Sequence, residues 1–180
     1  MGIAVHSLLE ELARLRTKLE WEAARSALRH LELRVAAQVR AFGLDQPSAV
    51  QIADQALQIA LDASHDPVGS WILSPHTAAA SETGWAGVVH GGLRSVRVDR
   101  VFKAGPTPGS EDEDYWWIID YKTAHPENIE PARALPELRQ LFAPQVEAYG
   151  QLLRNLHGPE TPIFAGLYYP RMLLLDWWEL

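Results

Sequence analysis

The stretch Tyr115–Lys122, YWWIIDYK, restricts the fold more than any other part of the chain. In an extended strand successive side chains point to opposite faces. Trp116, Ile118, Asp120 and Lys122 therefore share one face, and Tyr115, Trp117, Ile119 and Tyr121 share the other. Both faces are apolar up to Asp120, the pattern of a central strand buried on both sides. An ionised carboxylate at the end of such a strand is costly unless a cation balances it. Lys122 is one such cation, and an in-strand salt pair is the simplest account of Asp-x-Lys taken alone.

The rest of the chain supplies helices before this strand and a mixture after it. Val5, Leu8, Leu12, Leu15 and Leu19 recur at helical spacing, and the pattern stays helix-compatible to about Phe42, with Gly43 as a stop. A second helix is expected from Asp45–Pro47, an N-cap followed by an early proline, and it fades in the SHDP stretch. Near Thr77 the period changes to two. Residues 77–102 read as two strands joined at the turn HGG, followed by a loop rich in Gly, Pro and acids that leads into YWWIIDYK. Pro144 suits the first turn of a helix that ends before Gly158, with Gln145, Tyr149, Leu152 and Leu156 on one face. IFAGLYYP and MLLLDWWEL close the chain as strands. The expectation is one α/β domain over 1–180, with a mainly helical section 1–75 and a sheet core 76–180 in which a mixed central sheet is covered by helices.

Composition narrows the function. The chain has no cysteine, which excludes disulfides, thiolate zinc sites and cysteine-ligated iron–sulfur clusters. No apolar run is long enough for a bilayer and no signal-peptide layout is present, so no membrane partner and a cytoplasmic location are expected. A formal net charge of -7 argues against gripping nucleic acid by charge alone. No G-x-x-x-x-G-K-[ST] loop is present, so the chain is not itself an ATPase. Arg94, Arg97, Arg100 and Lys103 form a local basic cluster, read most simply as outward-facing strand charges.

Asp99 changes the weight given to Asp120. It lies in RSVRVDRVF, on the strand expected to pair with the one carrying Asp120. Two carboxylates on one face repel unless a cation lies between them, and a hard divalent ion suits oxygen ligands. A lysine beside that ion can orient the attacking water and balance charge developing on a phosphate.

The motifs GIAVHSLLEEL, SE, VRVDRVF, WWIIDYKTA and QVEAYGQLL, in that order, resemble the RecB-like nuclease domain of the PD-(D/E)XK superfamily, as found at the C-terminus of UvrD/AddA-type helicase–nucleases. The resemblance implies a restriction-endonuclease-like fold. It also implies Asp99 and Asp120 as catalytic metal ligands, Lys122 as the catalytic lysine and the Tyr121 carbonyl as a further ligand. His6 matches the family's helical G-x-x-x-H motif at the metal site, and Glu82 an acidic position before the core strands. Gln145 and Tyr149 match Q-x-x-x-Y near the substrate. The implied activity is Mg²⁺-dependent hydrolysis of DNA, with Mn²⁺ substituting, most simply as an exonuclease on single strands fed by a fused or associated helicase motor in DNA end processing and recombinational repair. The alternative is an inactive nuclease-like module that binds DNA or protein. Met1 stands directly before GIAVH, which reads as a domain excised from such a larger protein.

Overall fold

The computed structural model describes residues 1–89, 91–110, 112–125 and 130–180, with backbone alone at Pro131 and Ala132. His90 of the expected turn and Glu111 of the acidic loop lie outside them. The chain divides into two compact units, Met1–Pro75 and His76–Leu180.

The first unit is helical: α1 Gly2–Arg16, α2 Trp21–Arg29, α3 Glu32–Arg40, α4 Gln46–His65 and α5 Pro67–Leu73. The continuous periodicity of the first 42 residues is thus broken twice. Neither break carries Gly or Pro. At the first, the Thr17 hydroxyl and the Arg16 guanidinium donate to the carbonyls of Arg14 and Leu19 and so satisfy groups that a continuing helix would use. The start of α4 is as expected: the Asp45 carboxylate accepts from the Ser48 N–H at 2.8 Å. Asp66 repeats the device at Gly69 N–H, 2.7 Å, which turns the fading end of α4 into the separate helix α5. Ala49, Ala53, Ala56 and Ala60 are fully buried along α4, and α1 packs against that helix. Arg25 of α2 ties to the end of α4 through Ser64, Nε to the hydroxyl at 2.9 Å and Nη2 to the carbonyl at 2.8 Å.

The second unit is built on a five-stranded sheet in chain order: β1 Thr77–Val89, β2 Gly92–Ala104, β3 Tyr115–Tyr121, β4 Ile163–Tyr169 and β5 Leu174–Glu179. β3 and β4 are parallel and the other neighbours antiparallel, so the sheet is mixed. The α/β class and the mixed sheet agree with the restriction-endonuclease-like fold expected from the sequence, and β3 is the central strand. Trp117, Ile118, Ile119, Asp120 and Tyr121 are all buried, which explains why both faces of that strand are apolar. On one face Val101, Ile118, Ala165 and Leu167 meet Val146, Tyr149 and Leu153. On the other, Trp117, Phe164 and Trp177 form an aromatic cluster with ring centres 4.8 to 5.3 Å apart.

The helix of this unit also differs from expectation. α6 runs from Pro131 to His157, so Pro144 lies in its interior rather than at its start, as does Pro136. An interior proline removes one helical hydrogen bond and costs about 3 kcal/mol or more. Leu135, Leu138 and Phe142, all N-terminal to Pro144, pack on the core and offset that cost. The helix ends as expected at Gly158, φ 111°. Its apolar stripe is Val146, Tyr149 and Leu153, whereas Leu156 is exposed.

Replacing Ile118 by Ala removes a buried side chain from the central strand and should cost about 2–5 kcal/mol. The same change at Leu93, 81% exposed on the hairpin, should stay within about 0.5 kcal/mol. Urea denaturation of the two variants measures both, and equal losses would contradict the placement of β3.

Candidate active site

The polar end of β3 meets the kinked middle of the β1–β2 hairpin. Asp99 stands on β2, one residue before the pairing with β3 begins at Arg100↔Ile119. Its Oδ2 accepts from the backbone N–H of Tyr121 at 2.7 Å, which fixes the carboxylate against the end of the central strand. Glu82 lies across β1 between the pairs Ser81↔Arg100 and Thr83↔Val98, and its backbone is left-handed, φ 50°. Such a φ is uncommon for a residue with a side chain. Strand alternation changes beside it, because Val98 and Val101 differ in parity yet bury in one cluster. A carboxylate oxygen of Glu82 and one of Asp99 lie within 4.8 Å of each other. Arg97 sits 3.4 Å from the Glu82 carboxylate and tempers that concentration of negative charge.

Asp120 is the most deeply placed of the acids, with 3% of its side chain exposed. Lys122 Nζ lies 2.6 Å from its Oδ2. The salt pair anticipated from Asp-x-Lys is therefore formed, and it is one link of a longer series. The same ammonium donates to Gln145 Oε1 at 3.0 Å and sits over the Phe142 ring, 4.5 Å from its centre. The Gln145 amide nitrogen in turn donates to the Tyr149 hydroxyl. One turn of α6 thus supplies an acceptor that holds the lysine and a donor that holds the tyrosine, which gives the four-residue spacing a physical reason.

Burial, and then the charges of Asp120 and Asp99, push the Tyr149 hydroxyl up to about 12. It is neutral at physiological pH and adds no charge to the acids. Tyr169 is shifted in the same direction by burial and by Asp176 and Asp120. Asp176 of β5 is held by Arg139 of α6, whose Nε donates at 2.6 Å.

The sheet unit thus brings together Glu82, Asp99, Asp120, Tyr121, Lys122, Gln145 and Tyr149. His6 stands on α1 of the helical unit, half-buried. Arg100 departs from the sequence reading. It is buried rather than outward-facing, donates to Ser81 Oγ at 3.1 Å and lies over Phe102, and burial lowers its pKa. Strand parity with Phe102 carried that signal. The Arg97–Glu82 pair and the bridging role of Gln145 had no sequence signal.

The donor set fits a hard divalent cation: carboxylate oxygens from neighbouring strands, two of them already close together, with no thiolate or imidazole cluster in this unit among the described residues. The model of the PD-(D/E)XK nuclease superfamily matches residues 1–173. The chain belongs to the PD-(D/E)XK nuclease superfamily. The name spells a Pro-Asp and, further on, Asp or Glu, any residue and Lys; this chain has Asp120, Tyr121 and Lys122 for the second part and Asp99 for the first, with Val98 where the name has Pro. A comparison with curated proteins finds no match to the chain. Among the described residues no helix is long and apolar enough to cross a membrane.

The Tyr149 shift has a consequence for stability. An unfolded chain ionises this tyrosine near its ordinary value of 10.0, whereas the folded site holds the proton to about 12. Above pH 10 the unfolded state therefore binds fewer protons, and stability falls as pH rises. The contribution is intact below pH 10 and is lost on the way through 12. Urea midpoints taken from pH 9 to 12 should decline, and decline less steeply in Tyr149→Phe. Parallel declines would remove Tyr149 from the account.

Proposed function

We propose that this chain is a Mg²⁺-dependent deoxyribonuclease, with Mn²⁺ able to substitute, that hydrolyses phosphodiester bonds in single strands as an exonuclease. The observation that carries this reading is the lysine relay: Lys122 Nζ lies 2.6 Å from Asp120 and 3.0 Å from Gln145, beside an Asp99 anchored to the same strand. Asp99, Asp120 and the Tyr121 carbonyl would hold the cation, with Glu82 beside them. His6 enters the set on its sequence motif, and the two units together are read as one nuclease domain. When bound, the ion neutralises charge on the scissile phosphate and favours water as nucleophile.

The chain's own groups do the rest. Lys122 is a three-donor cation held on one side by Asp120 and on the other by Gln145, which leaves donor capacity for the attacking water or for charge developing on the phosphate. Gln145 restricts where the ammonium points. Tyr149 stays protonated and so adds no repulsion to an approaching phosphate. The acidic balance of the chain supports a helicase motor, fused or associated, that supplies most of the grip on the strand. In this reading the enzyme acts in DNA end processing and recombinational repair, in the cytoplasm.

Linear and circular single-stranded DNA, incubated with Mg²⁺ or Mn²⁺, test this directly. The parent chain should degrade the linear form and spare the circle. Asp120→Ala and Lys122→Ala should each lose activity by about 10²-fold or more. Cleavage surviving in both variants would sink the site, and a cut circle would replace exonuclease by endonuclease action.

A cation reading also predicts an effect without turnover. Mg²⁺ at about 100 times its dissociation constant should stabilise the folded chain by about 2.7 kcal/mol. In Asp120→Ala that gain should shrink or vanish, which thermal melts with and without the ion can measure.

A further inference from the structure

Two basic residues that the catalytic reading leaves unused, Arg94 and Arg97, line a groove beside the site. It encloses about 690 Å³ between the far half of the β1–β2 hairpin and the middle of α6. Arg94, Arg97 and Val96 form one wall, and Pro144, Gln145 and Tyr149 the other. Among the described residues no acid lines it, although the chain as a whole is strongly acidic. Two of its residues connect it to the candidate site: Gln145 accepts from Lys122, and Arg97 pairs with Glu82. Arg97 keeps 73% of its side chain exposed despite that pairing, and Arg94 is exposed as well.

Resting on the nuclease reading, we propose that this groove carries the single strand next to the scissile phosphate, with Arg94 and Arg97 contacting successive phosphates. Guanidinium forks match phosphate oxygens, and the apolar patches from Val96 and Pro144 give sugars and bases a surface of any sequence. The enclosed volume lies in the range of about 300–1,000 Å³ that holds a drug-sized ligand, which suits one or two nucleotides rather than a duplex. The occupant is DNA backbone because the groove offers localised positive charge with no acid among its described lining residues, the Glu82 that pairs with Arg97 lying outside it. Arrival of a phosphate at Arg97 also releases Glu82 from its partner, which couples strand binding to the acidic cluster.

The test is binding without metal, in EDTA, so that it does not depend on cleavage. A fluorescein-labelled oligo-dT is titrated at several NaCl concentrations with the parent chain, Arg94→Gln/Arg97→Gln, and a control, Arg29→Gln/Arg40→Gln, that changes charge equally on the helical unit. Loss of two phosphate contacts should flatten the slope of log Kd against log[NaCl] by about 1.4 in the groove variant alone. Affinity should fall by about tenfold at low salt, on oligo-dT and mixed sequences alike, and Arg94→Lys/Arg97→Lys should restore most of it. An unchanged slope in the groove variant, an equal change in the control, or no binding by the parent overturns the groove and leaves the nuclease reading to its own assay. A flattened slope in a chain that cleaves nothing would keep the groove and remove the nuclease.

Discussion

The burial of Asp120 at the end of the central strand is the constraint on which the rest of the sheet unit depends. A carboxylate with 3% of its side chain exposed persists only beside a compensating cation. Lys122 meets that need from the same face of the same strand, and it brings α6 with it. The ammonium is shared with Gln145, Gln145 holds Tyr149, and Tyr149 packs into the core formed by Ile118 and Leu167. Removing the apolar length of β3 would leave nothing to hold these groups within hydrogen-bonding distance of one another. A rigid strand is therefore not incidental to the chemistry, since positioning is most accurate where packing locks the side chains.

Charge is distributed so that the acids do not stand alone. Asp99 takes a backbone N–H, Glu82 an arginine, Asp120 a lysine, and the neighbouring tyrosine keeps its proton. On the same sheet Asp176 is matched by Arg139. The acids are thus balanced by groups that a cation or a phosphate can displace, an arrangement suited to binding charged species in turn. Membership of the nuclease superfamily gives that balance its context, and the exposed arginines of the hairpin extend it beyond the acids and the lysine.

Much of this was legible beforehand. The central strand, its pairing with the strand of Asp99, the capped helix at Asp45 and the closing strands all follow from period two, period 3.6 and turn residues. Other features were not. The breaks after Arg16 and Arg29 carry no Gly or Pro, and interior prolines hid the first half of α6 because tertiary burial outweighed their local cost. Arg100 was misplaced on the surface although its parity with Phe102 put it inside. The left-handed backbone at Glu82 is decided by its place in the hairpin, since the residue type disfavours it.

What the sequence determined by itself is the identity and spacing of the reactive groups. An acid and an amine two positions apart on an apolar strand must share a face, and Gln and Tyr four apart on a helix must be neighbours. These relations are set by the geometry of the backbone over a few residues. Only the tertiary structure decided that the amide of α6 bridges to the lysine just after β3, that Arg97 pairs with Glu82, and that a groove free of acids among its described residues runs beside them. Those contacts join segments distant along the chain, and their distances depend on how the sheet twists and how α6 lies on it. No local periodicity carries that information.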